Sequence, residues 1–444
     1  MRARSVGAMV GALVALGAAG GCSHRSNEVR LEKPDDEDVP IPVVPEPAEG
    51  GPRLGAVANS TPIVDRPSHR GTVLGYLHAG DTVARAEQPF SRVGCRGGWY
   101  AIRPVGFVCA ESTATTDLAH PTLTAMSLQP KFGEPLPYTY ARTTRDTSIY
   151  EVDPASDARV RPLSALRARS GLAVVGSWTA ADPNGTALHL AMMTDGHFVD
   201  TADLETAATS RFAGVELGER AELPMAFVVK RGVRLWSLTG DEPAPRTALD
   251  YHDRVALTGR FRTIGGVTFW AKNEREWVRE RDVTLVRERH DFPSFVDGDQ
   301  KWIDVSVITG TLVAYEGKKP VFVTLVSVGK DRLGAPESDA ATRRGEFAVV
   351  SKQVTFVGAD PATLADGVSI YDVPWALGLE SGQSLVGAYW HDRFGIEHGP
   401  GNLELAPSDA ARLFRWVDPA LPDGWHGVNG KPHDGKPTIV DVRK

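Results

Sequence analysis

Cysteine is scarce in this chain. Its 444 residues hold three, Cys22, Cys95 and Cys109, so nothing beyond position 109 can supply a thiol as nucleophile or as metal ligand. Positive charge is also in short supply: 49 Lys and Arg stand against 56 Asp and Glu, a formal net charge of −7. With no block of basic residues, the electrostatic footprint of a nucleic-acid binder is missing and no nucleic-acid partner is expected. Long apolar runs are lacking except after Arg2 and Arg4. There an uncharged stretch, broken by Gly7, Gly11, Gly17, Gly20 and Gly21, is marginally short for a bilayer span. No cofactor is expected. What is present is ordinary globular composition, 42% hydrophobic and 24% charged, on a chain long enough for several domains with a sizeable core.

Residues 1–21 combine a basic start, an apolar run rich in Val, Leu, Ala and Gly, and small residues at a processing site, the pattern of a secretion signal. The following Ala19-Gly20-Gly21-Cys22 resembles the lipobox of bacterial lipoproteins, which implies that Cys22 becomes an acylated first residue and holds the protein at a membrane. Cleavage without acylation and a retained anchor are the alternatives. Residues 22–52 carry Pro34, Pro40, Pro42, Pro45, Pro47 and Pro52 among acidic side chains, too few apolar groups to offset their ordering entropy. They read as a stiff acidic tether. The expected location is the cell envelope, in the periplasm or at the outer membrane surface.

From residue 53 to 115 short β-runs alternate with glycine turns, including Gly75-Tyr76-Leu77-His78-Ala79-Gly80-Asp81-Thr82-Val83, Gly98-Trp99-Tyr100 and Phe107-Val108-Cys109. This stretch resembles the bacterial SH3-like domain. Cys95 and Cys109 flank its hairpin, and in an exported protein a disulfide is expected, with metal binding as the alternative. Such modules bind cell-wall peptide or serve as spacers, and both roles are open. Residues 116–220 read as a β-rich connecting region. Between 221 and 290 the strand layout recurs, so a second SH3-like barrel is expected there. The remainder divides into a domain over 298–428 and a tail over 429–444. In that domain one helix is legible: Ser408 after Pro407 is the expected N-cap, Asp409 suits the positive end of the helix dipole, and Leu413, Phe414 and Val417 form one apolar face.

The 298–428 region resembles a YkuD-type L,D-transpeptidase domain, the cell-wall enzymes that cross-link peptidoglycan through a cysteine thiolate. The resemblance rests on Thr342-Arg343-Arg344-Gly345-Glu346-Phe347, Tyr371-Asp372-Val373-Pro374-Trp375, Gly387-Ala388-Tyr389-Trp390-His391-Asp392-Arg393-Phe394-Gly395 and Leu405-Ala406-Pro407-Ser408-Asp409-Ala410. It implies a mainly β fold: a β-sandwich with a short helix, preceded by one or two small SH3-like β-barrels. The family motif is His before Gly, then Ser-His-Gly-Cys. Here Val386 stands at the first histidine, and Gly399, Pro400, Gly401 and Asn402 stand at the second motif. A register slipped by two sets His398-Gly399 at His-Gly and Pro400 at the cysteine. In either register the thiolate is missing. A carboxamide is not nucleophilic, and neither valine nor proline can accept a proton.

A replacement constellation would draw on Ser384, Ser408 or Tyr389 as nucleophile, His391 or His398 as base and Asp392 as orienting acid, although nothing in the spacing requires it. Trp375, Tyr389, Trp390, His391 and His398 are candidate groove residues, with the hydrophobic core as the alternative place for the aromatics. The His-Asp pairs at 252, 290, 391 and 433 are irregularly spaced and read as solvated surface pairs, so no metal site is expected. The function expected is that of an exported, catalytically inactive cell-envelope protein. It would bind peptidoglycan or its stem peptides, or an active cell-wall enzyme, in a regulatory role. An active enzyme of the same class and a structural spacer lipoprotein are the competing readings.

Overall fold

The computed structural model describes residues 42–218, 222–330, 341–356, 362–363, 368–430 and 436–444. The expected signal, Cys22 and the first part of the expected tether lie outside the described residues, as does His433. From Pro40 to Lys444 the chain forms one compact unit. It is mainly β, with two short α-helices among the described residues, at Pro121–Ala125 and Pro407–Trp416. Among the described residues no helix is long and apolar enough to cross a membrane.

Residues 53–115 pack a three-stranded sheet against one end of a fourteen-stranded sheet, around Leu54, Ile63, Leu77, Tyr100 and Val108. Arg53–Ala56 pairs with both Thr82–Ala84 and Ala114–Thr115, while Thr61–Val64 pairs with Val73–Leu77 and Phe107–Cys109. The same pairing recurs in the second module. Met225–Phe227 takes Arg254–Ala256 and Thr284–Val286, and Arg234–Ser237 takes Ala244–Ala248 and Trp277–Arg279. Cys95 and Cys109 form a disulfide across the first hairpin, closing a loop of 14 residues. The end of the proline-rich segment is part of this body: Pro47 is buried, Val44 packs beside Trp99, and Glu46 pairs with Arg103 at 3.1 Å.

Three elements depart from the sequence reading. The first is the expected connecting region. Residues 139–206 supply most of a nine-stranded sheet, and Tyr140, Val160, Ala173 and Leu190 share one continuous core with Ile303, Val305, Leu377 and Phe414. It is a part of the main core rather than a connector.

The second is the expected tail. Ile439–Arg443 is an interior strand, parallel to Lys301–Ser306 and antiparallel to Gly345–Phe356. Alternation explains its place: Val440 and Val442 are buried, while Asp441 takes the Arg289 guanidinium at 2.8 Å and Arg443 takes Asp304 at 2.7 Å. The C-terminal domain therefore runs to the last residues. Its sheet also continues into the first barrel, where Gly75 faces Val428 and Tyr76 faces Gly427. A Cβ on Gly75 would lie 2.3 Å from the Gly427 carbonyl oxygen, so only glycine permits this approach.

The third is the helix cap. Ala406 occupies the cap position without a side-chain bond, and Ser408 Oγ instead donates to the Phe212 carbonyl at 3.1 Å. Asp409 lies in the first turn but is buried, accepting the Gly214 N–H at 2.9 Å and the Thr324 hydroxyl. Burial outweighs these bonds and pushes its carboxyl up to about 6.

Candidate functional site

Val373–Leu379 pairs with Gly345–Phe356 on one side and with Ser384–Gly387 on the other. Ser384–Gly387 in turn runs parallel to Leu403–Leu405, which sets Val386 opposite Glu404. Residues 388–402 form the loop between these last two strands, and the candidate positions sit on it and its ends.

The positions aligned with the transpeptidase motif hold no reactive group. Asn402 Oδ1 accepts the Ser384 backbone N–H at 3.0 Å, so the carboxamide braces the turn. Gly401 O accepts the Thr342 hydroxyl at 2.9 Å, and that hydroxyl accepts the Gly329 N–H at 2.8 Å. Gly399 has φ of +61°, and a Cβ there would meet Glu404 Oε1 at 2.9 Å. Val386 is buried. Beside these residues a shallow pocket of about 230 Å³ is lined by Arg343, Ser381, Gln383, Pro400, Gly401 and Asn402. Gln383 holds its wall by accepting the Arg343 N–H at 2.8 Å and donating to the Ala341 carbonyl at 2.9 Å.

Of the candidate groove residues, Trp375 and Tyr389 belong to the core. Both are about 1% exposed. Trp375 adopts φ of +56°, an uncommon conformation for a bulky residue, and its indole N–H donates to the Pro135 carbonyl at 2.7 Å. Tyr389 packs on Tyr140 with ring centroids 4.5 Å apart. Trp390 is half-buried and stands edge-on to Tyr389. Large aromatic side chains in a wide β core are worth more buried than lining an open groove.

His391 and His398 do converge, on a residue the sequence reading did not single out. Glu404 Oε2 accepts from His391 Nε2 at 2.9 Å and from His398 Nδ1 at 2.8 Å, and the two rings lie 3.9 Å apart. Glu404 is almost fully buried. Burial pushes its carboxyl up, but hydrogen bonds from both imidazoles and their charge outweigh it, and the net direction is down. Burial likewise depresses His391, against the opposing pull of the carboxylate. The His391-Asp392 pair is thus split, with the histidine buried and the aspartate exposed, which corrects the solvated reading of that pair. Asp392 orients neither histidine; it accepts the Ser210 hydroxyl and lies 3.7 Å from His252 Nδ1.

These donor atoms are close enough for a metal ion, yet the tautomers oppose one. The Arg393 backbone N–H donates to His391 Nδ1 at 3.0 Å, so Nε2 carries the ring proton and has no lone pair to offer. The cluster is instead closed by its own hydrogen bonds. A carboxylate-oriented imidazole of this kind can act as a base. Of the hydroxyls that could serve it, Ser408 is bound to Phe212 and Tyr389 is buried against Tyr140. Glu404 had a signal in the sequence: a lone charge between two leucines on a strand buried on both faces.

No protein-family model matches the chain, and no curated protein matches its sequence. Among solved structures it is similar to an L,D-transpeptidase from Xylanimonas cellulosilytica, at 16% identity and a TM-score of 0.24 over 35% of this chain and 65% of that one. It is similar to an L,D-transpeptidase from Stackebrandtia nassauensis at 22% identity, TM-score 0.22, over 34% and 60% of the two chains. For Mycobacterium tuberculosis L,D-transpeptidase 1 the values are 19% and 0.23, over 52% of this chain and all of that one. The chain thus spans less than two thirds of the first two of these structures.

Proposed function

We propose that this is an exported cell-envelope protein whose C-terminal domain binds peptidoglycan stem peptides without transferring them. The observation that carries the reading is Asn402. It stands where the resemblance places a nucleophilic cysteine, its carboxamide is spent on the Ser384 N–H, and it lines a pocket that contains no thiol. The pocket is lined by the Arg343 guanidinium, which bonds the Ser381 carbonyl through one nitrogen and has further N–H donors of the kind that suit a peptide carboxylate. Lipid anchoring through Cys22 and a regulatory action on an active cell-wall enzyme extend this reading.

The test has two arms. Purified protein is mixed with isolated sacculi, and retention that falls on Arg343→Ala supports binding; absence of retention in the unmodified protein favours a spacer. The same protein is incubated with a tetrapeptide donor and with a carbapenem. Cross-linked product or a covalent mass adduct would overturn the non-catalytic reading.

A further inference from the structure

A second cluster lies where the first barrel meets the C-terminal sheet, away from the Glu404 site. His78 follows the Val73–Leu77 strand, and His426 directly precedes Gly427–Asn429, the strand paired with it. Their rings are 4.6 Å apart, and both side chains are more than nine-tenths buried. Both face a cavity of about 220 Å³ whose other walls include Asn59, Tyr76, Gln353 and Thr355.

Three ring nitrogens here, His78 Nε2 and both nitrogens of His426, have no hydrogen-bond partner among the described residues. A buried polar atom left in that state is destabilising, and three of them in one cavity point to an occupant. The protonation pattern indicates which kind. His78 Nδ1 lies 3.2 Å from the Ala79 carbonyl, an acceptor only, so Nδ1 carries the proton and the Nε2 lone pair is free. The Thr194 carbonyl also faces this ring, without making a well-formed hydrogen bond to Nε2. His426 Nδ1 faces Asp81 Oδ2 at 3.7 Å, which favours the proton on Nδ1 and again frees Nε2. Asp81 is itself buried and fixed by the His78 backbone N–H at 2.7 Å. Each imidazole therefore presents one lone pair, with its other nitrogen turned to an oxygen. Metal-ligating histidines are arranged this way, with carbonyl or carboxylate acceptors in the outer shell.

We propose that His78 Nε2 and His426 Nε2 bind a divalent first-row transition metal, which clamps the first barrel to the C-terminal sheet. Imidazole donors suit zinc, cobalt, nickel or copper rather than magnesium or calcium. The cavity leaves room for water to complete the coordination. At the other candidate cluster the arrangement is reversed, because His391 Nδ1 faces an N–H donor.

The test is titration of the full chain, stripped with chelator, with Co²⁺ and with Zn²⁺. The expected result is uptake of one Co²⁺ with visible d–d absorption and a rise in the thermal midpoint with Zn²⁺. His78→Gln and His426→Gln should each weaken binding at least tenfold, and His398→Gln should leave it unchanged. No uptake by the unmodified protein would mean that the cavity holds only water and would overturn the proposal. So would uptake that survives both substitutions together, or that is lost on His398→Gln. Circular dichroism of each variant separates lost ligation from lost fold, and the titration of the unmodified protein decides the matter even where a variant fails to fold.

Discussion

Asp372 makes the stability of this fold depend on pH in the direction opposite to most carboxylates. It is fully buried where the 139–206 sheet meets the C-terminal domain, accepting the Ala173 N–H at 2.8 Å and the Thr194 hydroxyl at 2.5 Å. Burial pushes its carboxyl from the ordinary 3.8 up to about 7, with these hydrogen bonds opposing. Between those two values the native protein keeps a proton that the unfolded chain has released. The resulting stabilisation is complete below pH 3.8 and is lost as the pH rises through about 7. A difference of about three pH units, at about 1.4 kcal/mol each, corresponds to ~4 kcal/mol. Asp372→Asn keeps the shape and an acceptor oxygen but cannot titrate. Denaturant unfolding of both proteins, followed by tryptophan fluorescence at about pH 4 and about pH 8, measures the difference between them. That difference should move by ~4 kcal/mol in favour of the variant over the interval. Comparison with the variant cancels Asp81 and Asp409, which titrate in the same range in both proteins. If the difference stays constant with pH, Asp372 is ionised in the native state and the account of its burial is wrong.

Two further outcomes follow from the C-terminal domain. Glu404→Leu leaves two buried imidazole N–H groups without an acceptor, for a loss of ~2–6 kcal/mol, whereas Glu404→Gln keeps an acceptor oxygen and loses only the charge, ~1–2 kcal/mol. Equilibrium unfolding of the two variants checks both the order and the gap. Truncation after Lys436 removes the Ile439–Arg443 strand; burial of Val440 and Val442 alone is worth ~3–6 kcal/mol. Against a total stability of about 5–15 kcal/mol, with two further strand edges left unpaired, the truncated chain should fail to give soluble folded protein. Soluble yield and circular dichroism report this.

The sequence was legible where local pattern decides structure. Glycine turns between short β-runs located some strands of each small module, such as Trp99–Ala101, Phe107–Cys109, Val267–Ala271 and Trp277–Arg279, but not Arg53–Ala56, Thr61–Val64 or Arg234–Ser237, and the two cysteines after residue 22 located a hairpin tie that is present. It was not legible where long-range pairing decides. Nothing local distinguishes Thr438-Ile439-Val440-Asp441-Val442-Arg443 as an interior strand from the same residues as an exposed end. Only its two neighbours, Lys301–Ser306 and Gly345–Phe356, brought together from far along the chain, give it a place. Residues 139–206 were opaque for the same reason: most of the core they share is supplied by residues beyond 300.

The candidate site divides along the same line. Cysteine content is a property of the sequence alone, so the missing thiol needed no coordinates, and the structure adds what the replacing side chain does. Which acid orients the histidines is a matter of pairing. Asp392 is adjacent to His391 in sequence but turns outward toward Ser210, whereas Glu404, on the following strand, turns inward and receives both rings. The loop of 388–402 carries the two imidazoles back over the strand that holds Glu404, and Gly399 leaves the space a Cβ would take from its carboxylate. The close packing of His391, His398, Gly399 and Glu404 is therefore a single arrangement. A serine placed at Gly399 would press on Glu404 and force a φ of +61° on a residue with a side chain. Installing thiol chemistry here would thus require more than a cysteine at Asn402, because the backbone around it is built on a buried carboxylate.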